Sequence, residues 1–161
     1  MLTSLPLLVC LGAGTIGGVF FGFSTFVMKA LAQLSEAQGI AAMQRINVVV
    51  LNPLFLGVFV GTAVFAGVCI VAGFYPWGTA RSVLLLVAGL SYLVGSFGVT
   101  AAFNVPRNER LARLDAESAQ AAAYWPVYVR EWLFWNHVRT AASLISAASA
   151  ALALACGVAV A

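Results

Sequence analysis

Charged side chains are scarce in this chain of 161 residues, because Asp, Glu, Lys and Arg make up only 8% of it and 63% is hydrophobic. The mean hydropathy of +1.01 is far from the balance of a soluble domain. The few basic residues form no run interleaved with aromatics, so the net charge of +3 does not indicate nucleic-acid binding. An ordinary soluble domain is therefore excluded, and an integral membrane protein is indicated.

Side chains that commonly bind metals are also few, with three cysteines and one histidine. Cys10, Cys69 and Cys156 fall within apolar stretches without metal-ligand spacing, and we interpret them as small packing residues. The sequence thus predicts no metal site. No Lys or Arg precedes the first apolar run, which is too long for the core of a signal peptide, so we expect it to be retained.

Four long apolar stretches, nearly free of charge, make up most of the chain. Each reaches the roughly 20 apolar residues that a membrane-spanning helix needs, and none shows the period-two alternation of a barrel strand. The predicted spans run from Leu2 to Met28, Ile46 to Ala80, Ser82 to Phe103 and Thr140 to Ala161. We therefore predict an all-α fold, a four-helix membrane bundle formed as a single domain over residues 1–161. Short amphipathic helices are expected between spans one and two and between spans three and four.

Basic residues are unevenly distributed among the three connections, and short loops rich in Lys and Arg stay in the cytoplasm. Arg81 alone marks the second connection. The others lie in or beside the first and third connections: Lys29, Arg45, Arg107, Arg110, Arg113, Arg130 and Arg139. We therefore expect the first and third connections to be cytoplasmic and both termini to lie outside, in a bacterial inner membrane.

Small residues recur at every fourth position on three predicted spans, a pattern that lets a neighbouring helix approach closely. The repeats are Gly14, Gly18 and Gly22 in span one, Gly57 and Gly61 in span two, and Ser143, Ala147 and Ala151 in span four. They are consistent with close packing inside one bundle and equally with a homo-oligomer.

Polar residues concentrate at the ends of the spans on the predicted cytoplasmic side. A connecting helix is expected from about Ser35 to Asn47, and Asn52-Pro53 then interrupts the start of span two, because proline removes a backbone donor. The Asn52 amide has two interpretations: it satisfies the freed carbonyl, or it binds a substrate.

Span three is expected to end at Asn104-Val105-Pro106, where Asn104 caps the helix and Pro106 breaks it. Asn108 would cap a further amphipathic helix that continues to about Ala123. Glu109 would lie near the positive end of that helix, which favours its ionised form.

The chain restarts at Tyr124-Trp125-Pro126, and a helical pattern runs from Val127 into span four. Trp132 and Trp135 fit an interfacial aromatic belt as well as a binding site. One helical stripe and its two edges carry most of the polar groups: Asn136, Thr140 and Ser143 with Ala147, flanked by His137 and Arg139. His137 is either hydrogen-bonded at the interface or a functional group beside an arginine at membrane depth.

In the order and spacing of these elements, the chain resembles the anthrone oxygenase-like membrane proteins. The resemblance is carried by Phe23-Ser24 through Leu31, Asn52-Pro53, Asn104-Val105-Pro106 with Asn108, Trp132, Trp135-Asn136 and Arg139. It implies a four-helix membrane bundle. For fungal polyketide-pathway members, it also implies oxidation of an anthrone to an anthraquinone by dioxygen, without a metal or organic cofactor.

An anthrone-like substrate is flat and apolar, so we expect it to partition into the bilayer and to enter a groove between helices. Our hypothesis is that His137 or Glu109 removes a proton, and that Arg139 with Asn136 and Asn104 stabilises the resulting oxyanion. The remaining expected substrate-binding residues are Asn108, Trp132, Trp135, Asn52, Asn47 and Phe23.

Two other functions stay open. A small helical bundle with glycine stripes also suits a non-enzymatic accessory or assembly subunit of a membrane complex. A redox protein with haem or metal on His137 is the other alternative, although stable sites usually draw on several ligands.

Overall fold

Five helices form the part of the chain that the structure describes, namely residues 4–158 of a computed structural model, with side chains described through residue 156. They are α1 (Leu5–Leu31), α2 (Glu36–Val49), α3 (Pro53–Gly73), α4 (Ala80–Ala112) and α5 (Ala119–Val158). All but α2 are long and apolar enough to cross a membrane. The predicted all-helical bundle of four spans is therefore confirmed, and the chain is an integral membrane protein.

The helices pack as a bundle in which α5 contacts both α1 and α4, while α3 contacts α1 and α4 on its own side. The predicted connecting helix is also present as α2, which begins after Ser35 and packs against the ends of α1, α4 and α5. We call this end of the molecule the α2 end. It brings together the end of α1, the start of α3, the end of α4 and the start of α5.

Helix α5 has 40 residues and is therefore roughly 60 Å long, about twice the thickness of the hydrocarbon core of a bilayer. Its first turns pack at the α2 end, where they form a separate core with α2 and the ends of α1 and α4. The buried members of this core are Met28, Leu31, Ile40, Met43, Leu111, Ala121, Tyr124, Trp125, Tyr128 and Trp132. Gln44 joins α2 to the end of α4, because its Nε2 donates to the carbonyl oxygens of Leu111 and Leu114, at 2.9 Å each.

The boundaries of the spans differ from the predicted ones. Span two begins at Pro53 rather than Ile46, because Asn52-Pro53 separates it from α2. Asn52 caps α3: its Oδ1 accepts from the Phe55 amide at 3.0 Å and its Nδ2 donates to the Val49 carbonyl at 3.0 Å. The predicted ends at Leu2 and Ala161 lie outside the described residues.

The predicted helix breaks at Pro106 and Pro126 are wrong, because α4 and α5 continue through both prolines. Before Pro106, the backbone is π-helical over Thr100–Asn104, and this wider turn accommodates a ring that would clash in an α-helix. Asn104 and Asn108 consequently lie inside α4 and cap nothing. The helix expected to continue to Ala123 ends at Ala112 instead.

Only some of the small residues that recur at every fourth position lie where two helices approach closely. A Cβ placed on Gly14 would lie 4.0 Å from the Ala147 Cβ, but a Cβ on Gly18, Gly57 or Gly61 would meet nothing within 4 Å. The tight approaches occur at other glycines. A Cβ on Gly89, for example, would lie 2.5 Å from the Ala66 carbonyl oxygen. A homo-oligomer built on the open glycines stays a prediction.

Replacing Gly89 with alanine is expected to lower the free energy of unfolding by about 1–3 kcal/mol, because α3 and α4 must move apart to admit the methyl group. The matched control is Gly57→Ala, where the added methyl group meets open space and alanine favours the helix by about 1 kcal/mol. Thermal melts of both variants in the same detergent provide the comparison. Equal melting temperatures would show that the α3–α4 approach is looser than described.

Candidate functional site

Within residues 4–158, three π-helical segments interrupt the spans in the half of the bundle nearer the α2 end: Phe23–Val27 in α1, and Ser91–Gly98 and Thr100–Asn104 in α4. Such turns are rare and are frequent at functional sites. Each one supplies a hydroxyl group to the bundle interior, from Ser24, Ser96 and Thr100 respectively.

Arg139 is the centre of the polar interior, with only 6% of its surface exposed. Its Nε donates to Asn136 Oδ1 at 3.0 Å and its Nη1 donates to Thr100 Oγ1 at 3.3 Å. The guanidinium carbon lies 4.0 Å from the centroid of the Phe20 ring and 4.8 Å from that of a Trp132 ring. Two hydrogen bonds and two cation–π contacts therefore fix the orientation of this cation.

Asn136 is fully buried and ties Arg139 to α1. Its Nδ2 donates to the Phe20 carbonyl at 2.8 Å and to Ser24 Oγ at 2.7 Å. Thr140 Oγ1 donates to the Asn136 carbonyl at 2.7 Å, so Ser24 is the donor in its 3.1 Å contact with Thr140. Every polar group around the Asn136 amide is thus used, and the side chain has one possible orientation.

The charge of Arg139 is not neutralised by a carboxylate. In residues 4–158, the ion pairs within 4.0 Å join Arg107 to Glu131 and Arg113 to Glu109. A buried cation that is held by amide, hydroxyl and ring groups alone creates a positive potential in a low-dielectric setting, where charge interactions are strong. The site therefore favours a bound anion or a group that becomes anionic.

Arg139 lines a cavity of about 560 Å³. The cavity lies between α1, α2, α3 and α4, with α5 at its inner wall, and most of its lining is apolar. It is lined by Val19, Phe20, Phe23, Met43, Gln44, Ile46, Asn47, Val48, Val50, Leu51, Phe55, Leu56, Phe59, Val60, Phe97, Thr100, Ala101, Val105, Asn108, Glu109, Ala112, Trp132 and Arg139. A volume of this size holds a small organic molecule of several rings.

Aromatic rings form one wall of the cavity. Phe59 stacks on Phe55 with centroids 5.9 Å apart and on Phe97 with centroids 5.2 Å apart. Asn108 also lines the cavity, and it is held in place because its Oδ1 accepts from Tyr128 Oη at 2.9 Å and from Trp132 Nε1 at 2.8 Å. Since the indole nitrogen only donates, the Asn108 oxygen must face it and the amide nitrogen must point elsewhere.

The structure brings several of the predicted site residues together at this cavity, namely Phe23, Asn47, Asn108, Glu109, Trp132 and Arg139. Asn136 does not line the cavity but holds Arg139. Asn104 is 1% exposed, donates from Nδ2 to the Trp132 carbonyl at 3.2 Å and is not among the residues that line the cavity. Trp135 stacks on Phe103 with centroids 3.6 Å apart.

His137 and Asn52 are predicted site residues that are exposed and do not line the cavity. His137 follows Asn136 by one position, so it points about 100° away around α5, and it does not line the cavity. The hypothesis that His137 is the base therefore gains no support from this geometry. Asn52 is accounted for by its cap on α3.

Several residues of the site were not predicted from the sequence to be site residues. Thr100 and Ser24 are hydroxyl residues within apolar runs. Four phenylalanines of the site also lie in apolar runs, and the sequence alone does not distinguish them from lipid-facing residues: Phe20, Phe55, Phe59 and Phe97. Within the described chain, no group of three or more His, Cys, Asp and Glu side chains is placed to hold a metal ion.

The segment that contains most of the polar residues of this site also matches a known protein family. Residues 54–149, more than half of the sequence, match the family model described as anthrone oxygenase. The chain belongs to the anthrone oxygenase family. The match includes Thr100, Asn108, Asn136 and Arg139 of the site, whereas α1 and α2 lie before it. Comparisons with curated proteins and with solved structures gave no match.

Proposed function

We propose that this protein is a membrane oxygenase that oxidises a flat, apolar, enolisable aromatic compound of the anthrone type with dioxygen. Membership of the family supports the class of reaction. The observation that carries the proposal is Arg139, a buried cation without a carboxylate partner at the wall of an apolar cavity. Such a site binds a neutral aromatic molecule by its apolar surface and stabilises it preferentially once it becomes an anion.

The substrate reaches the cavity from the bilayer. Val48, Leu51 and Val60 line the cavity and also expose 64%, 62% and 46% of their surfaces. Because these residues are apolar and accessible from outside, an apolar substrate dissolved in the lipid meets them directly. The excess of Arg and Lys at the α2 end supports a cytoplasmic position for this end, and hence entry from the cytoplasmic leaflet.

The reaction begins with loss of a proton from the ring carbon opposite the substrate carbonyl. Glu109 is the acidic residue of the cavity lining and takes this proton. The electron pair of the C–H bond moves into the ring system, and the carbonyl oxygen becomes an oxyanion beside Arg139. Phe20 and Trp132 keep the guanidinium in place as the charge develops, so little reorganisation is needed.

The electron-rich anion then reduces dioxygen, and a C–O bond forms at the deprotonated carbon. Protonation of the distal oxygen gives a hydroperoxide. Removal of the second proton from the same carbon breaks the O–O bond, releases water and leaves a ketone. Each turnover thus converts one methylene group to a carbonyl group, consumes one molecule of dioxygen and releases one molecule of water.

The direct test uses the purified protein in lipid nanodiscs with anthrone as the substrate. An oxygen electrode and the absorbance of anthraquinone should show equimolar dioxygen consumption and product formation above the rate in empty nanodiscs, where anthrone oxidises spontaneously. A rate no greater than that of empty nanodiscs would overturn the proposal. Copurification with a fixed protein partner would then favour the accessory function.

Replacing Glu109 with glutamine is expected to lower the rate with anthrone by about 10²–10⁴-fold, because the amide cannot accept the carbon-bound proton. Glu109 is 62% exposed and only 4.0 Å from Arg113, so the substitution should leave the melting temperature unchanged. Glu117→Gln, in the exposed loop before α5, is the matched control and should retain the full rate. Equal rates for both variants would show that another group removes the proton.

A further inference from the structure

A second cavity, separate from the one that Arg139 lines, lies between the end of α4 and the first turn of α5. Its volume is about 410 Å³, and we call it the α4–α5 groove. The members from α4 lie three or four positions apart, so they share one face of the helix. The groove is lined by Pro106, Glu109, Arg110, Arg113, Leu114 and Gln120. Two of these residues are arginines, and the proposed reaction uses neither of them.

Arg110 is held in the groove by an aromatic ring. Its guanidinium carbon lies 4.0 Å from the centroid of the Tyr124 ring on α5, and only 7% of Tyr124 is exposed. Among residues 4–156, no carboxylate lies within 4.0 Å of the Arg110 nitrogens and no group accepts a hydrogen bond from them. A guanidinium that stacks through its face keeps the N–H groups at its edge available, and their geometry matches two oxygens of a phosphate group.

Arg113 adds a second cation, and Glu109 neutralises it only weakly. Arg113 Nη2 lies 4.0 Å from Glu109 Oε2, and the two side chains are 81% and 62% exposed. Water and salt screen an ion pair this long and this exposed, so it contributes little. Asp115 and Glu117 of the following loop do not line the groove. Two arginines and one carboxylate therefore leave the groove with an excess of positive charge.

The groove lies at the level of the lipid headgroups. The uncharged stretch Ser82–Phe103 of α4 is long enough to cross the hydrocarbon core of roughly 30 Å, at about 1.5 Å per residue. Arg107 is the first charged residue after this stretch, and the two arginines of the groove follow about one and two turns later. Lipid phosphate groups are therefore abundant where these arginines lie.

The contact between α4 and α5 continues from the groove into the apolar layer. Along these two helices, Arg107 pairs with Glu131 at 3.0 Å, and Phe103 stacks on Trp135 with ring centroids 3.6 Å apart. Phe134 packs on Trp135 and is 58% exposed. A headgroup bound in the groove would thus place its acyl chains along aromatic side chains. A soluble phosphate has no use for this apolar continuation, which therefore favours a lipid.

We propose that the α4–α5 groove binds the phosphodiester headgroup of an anionic phospholipid. Arg110 donates two N–H groups to the phosphate oxygens while Tyr124 fixes the plane of its guanidinium, and Arg113 supplies the second positive charge. This site is additional to the proposed oxygenase function and does not depend on it.

Native mass spectrometry of the detergent-solubilised protein tests the proposal. The probes are dihexanoylphosphatidylglycerol, which is anionic, dihexanoylphosphatidylcholine, which is zwitterionic, and glycerol 3-phosphate, which has no acyl chains. Phosphatidylglycerol should bind more tightly than the other two. Arg110→Gln should weaken its binding by about tenfold, the value of a hydrogen bond to a charged group. Arg110→Lys should lose most of the same affinity, because a lysine keeps the charge but cannot bind two oxygens while it stacks on a ring.

Two matched controls separate the groove from the general surface charge. Arg130→Gln removes an exposed arginine outside the groove and should leave phosphatidylglycerol binding within about twofold. Glu109→Gln removes the carboxylate that competes with the lipid for Arg113, so it should strengthen binding by about two- to threefold. Glu117→Gln makes the same change of charge outside the groove and should have no effect.

Three results would overturn the proposal. An equal loss in Arg110→Gln and Arg130→Gln would show that the lipid responds to net charge alone. Glycerol 3-phosphate that binds as tightly as phosphatidylglycerol would indicate a site for soluble phosphate, and equally tight phosphatidylcholine would show that the groove does not select anions. Because Arg110 and Arg130 are exposed, both glutamine variants should keep a melting temperature close to that of the wild-type protein. Dioxygen consumption with anthrone is measured separately and bears on none of these results.

Discussion

Replacing Arg139 with methionine is expected to lower the rate of anthrone oxidation by about 10²–10³-fold. A decrease of this size is usual when one group that stabilises an oxyanion is removed. The loss should fall on kcat rather than on KM, because the neutral substrate binds mainly through the apolar walls. Dioxygen consumption at saturating anthrone measures it. Arg139→Lys should also be slow, since a lysine keeps the charge but cannot bond to Asn136 and Thr100 while stacking on two rings.

Arg130 provides the matched control for this experiment, because it lies on the same helix but is exposed and does not line the cavity. Arg130→Met should retain the full rate. Methionine at position 139 removes a buried charge but leaves Asn136 Oδ1 without its donor, so the two effects oppose each other and the melting temperature should change little. A stable Arg139→Met variant that oxidises anthrone at the full rate would show that the oxyanion forms elsewhere.

Replacing Asn136 with leucine should affect both stability and activity. The change leaves the Phe20 carbonyl, Ser24 and Arg139 Nε without their partner in a fully buried location, so we expect a loss of about 3 kcal/mol in the free energy of unfolding. The Arg139 guanidinium also loses one of its two hydrogen bonds and is held less firmly, so the rate of anthrone oxidation should fall as well. Melting temperature and dioxygen consumption are measured on the same preparation.

His137→Leu is the control for the Asn136 variant, because it changes the next residue on the exposed face of α5. It should be close to the wild-type protein in both measurements. A full rate in His137→Leu would also remove the sequence-based hypothesis that this histidine is the base. If His137→Leu instead lost activity while Asn136→Leu kept it, the polar interior described above would not be the active site.

The four spans were predictable because the cost of placing polar backbone and charge in lipid imposes a long apolar sequence on every crossing. The break at Asn52-Pro53 was predictable for a local reason, since the asparagine caps the helix that the proline begins. The breaks expected at Pro106 and Pro126 did not occur. Proline rules describe isolated α-helices, and they fail where a π-helical turn or packing on neighbouring helices offsets the lost hydrogen bond.

The candidate site was predictable in part for a similar reason. Helical periodicity places Asn136 and Arg139 on neighbouring positions of one helix, and both are buried as part of one network. Periodicity alone does not show which edge of that stripe faces the interior, so the sequence predicted both His137 and Arg139 as site residues. Thr100 and Ser24 were not predicted as site residues, because their position in the interior depends on contacts with helices distant in sequence. The π-helical turns that direct both side chains inward were not predicted either, because no residue pattern in this sequence indicates them.

Those π-helical turns have a consequence for how the chain tolerates changes in length. A π-helical turn holds one more residue than an α-helical turn, so deleting a single residue from Thr100–Asn104 would restore a regular α-helix without shortening the crossing appreciably. Because the wider turn absorbs the extra residue, every later side chain of α4 would keep nearly the same direction around the axis. Asn108 and Glu109 would therefore stay at the cavity wall, whereas a deletion in a regular α-helical part of the span would rotate them by about 100°.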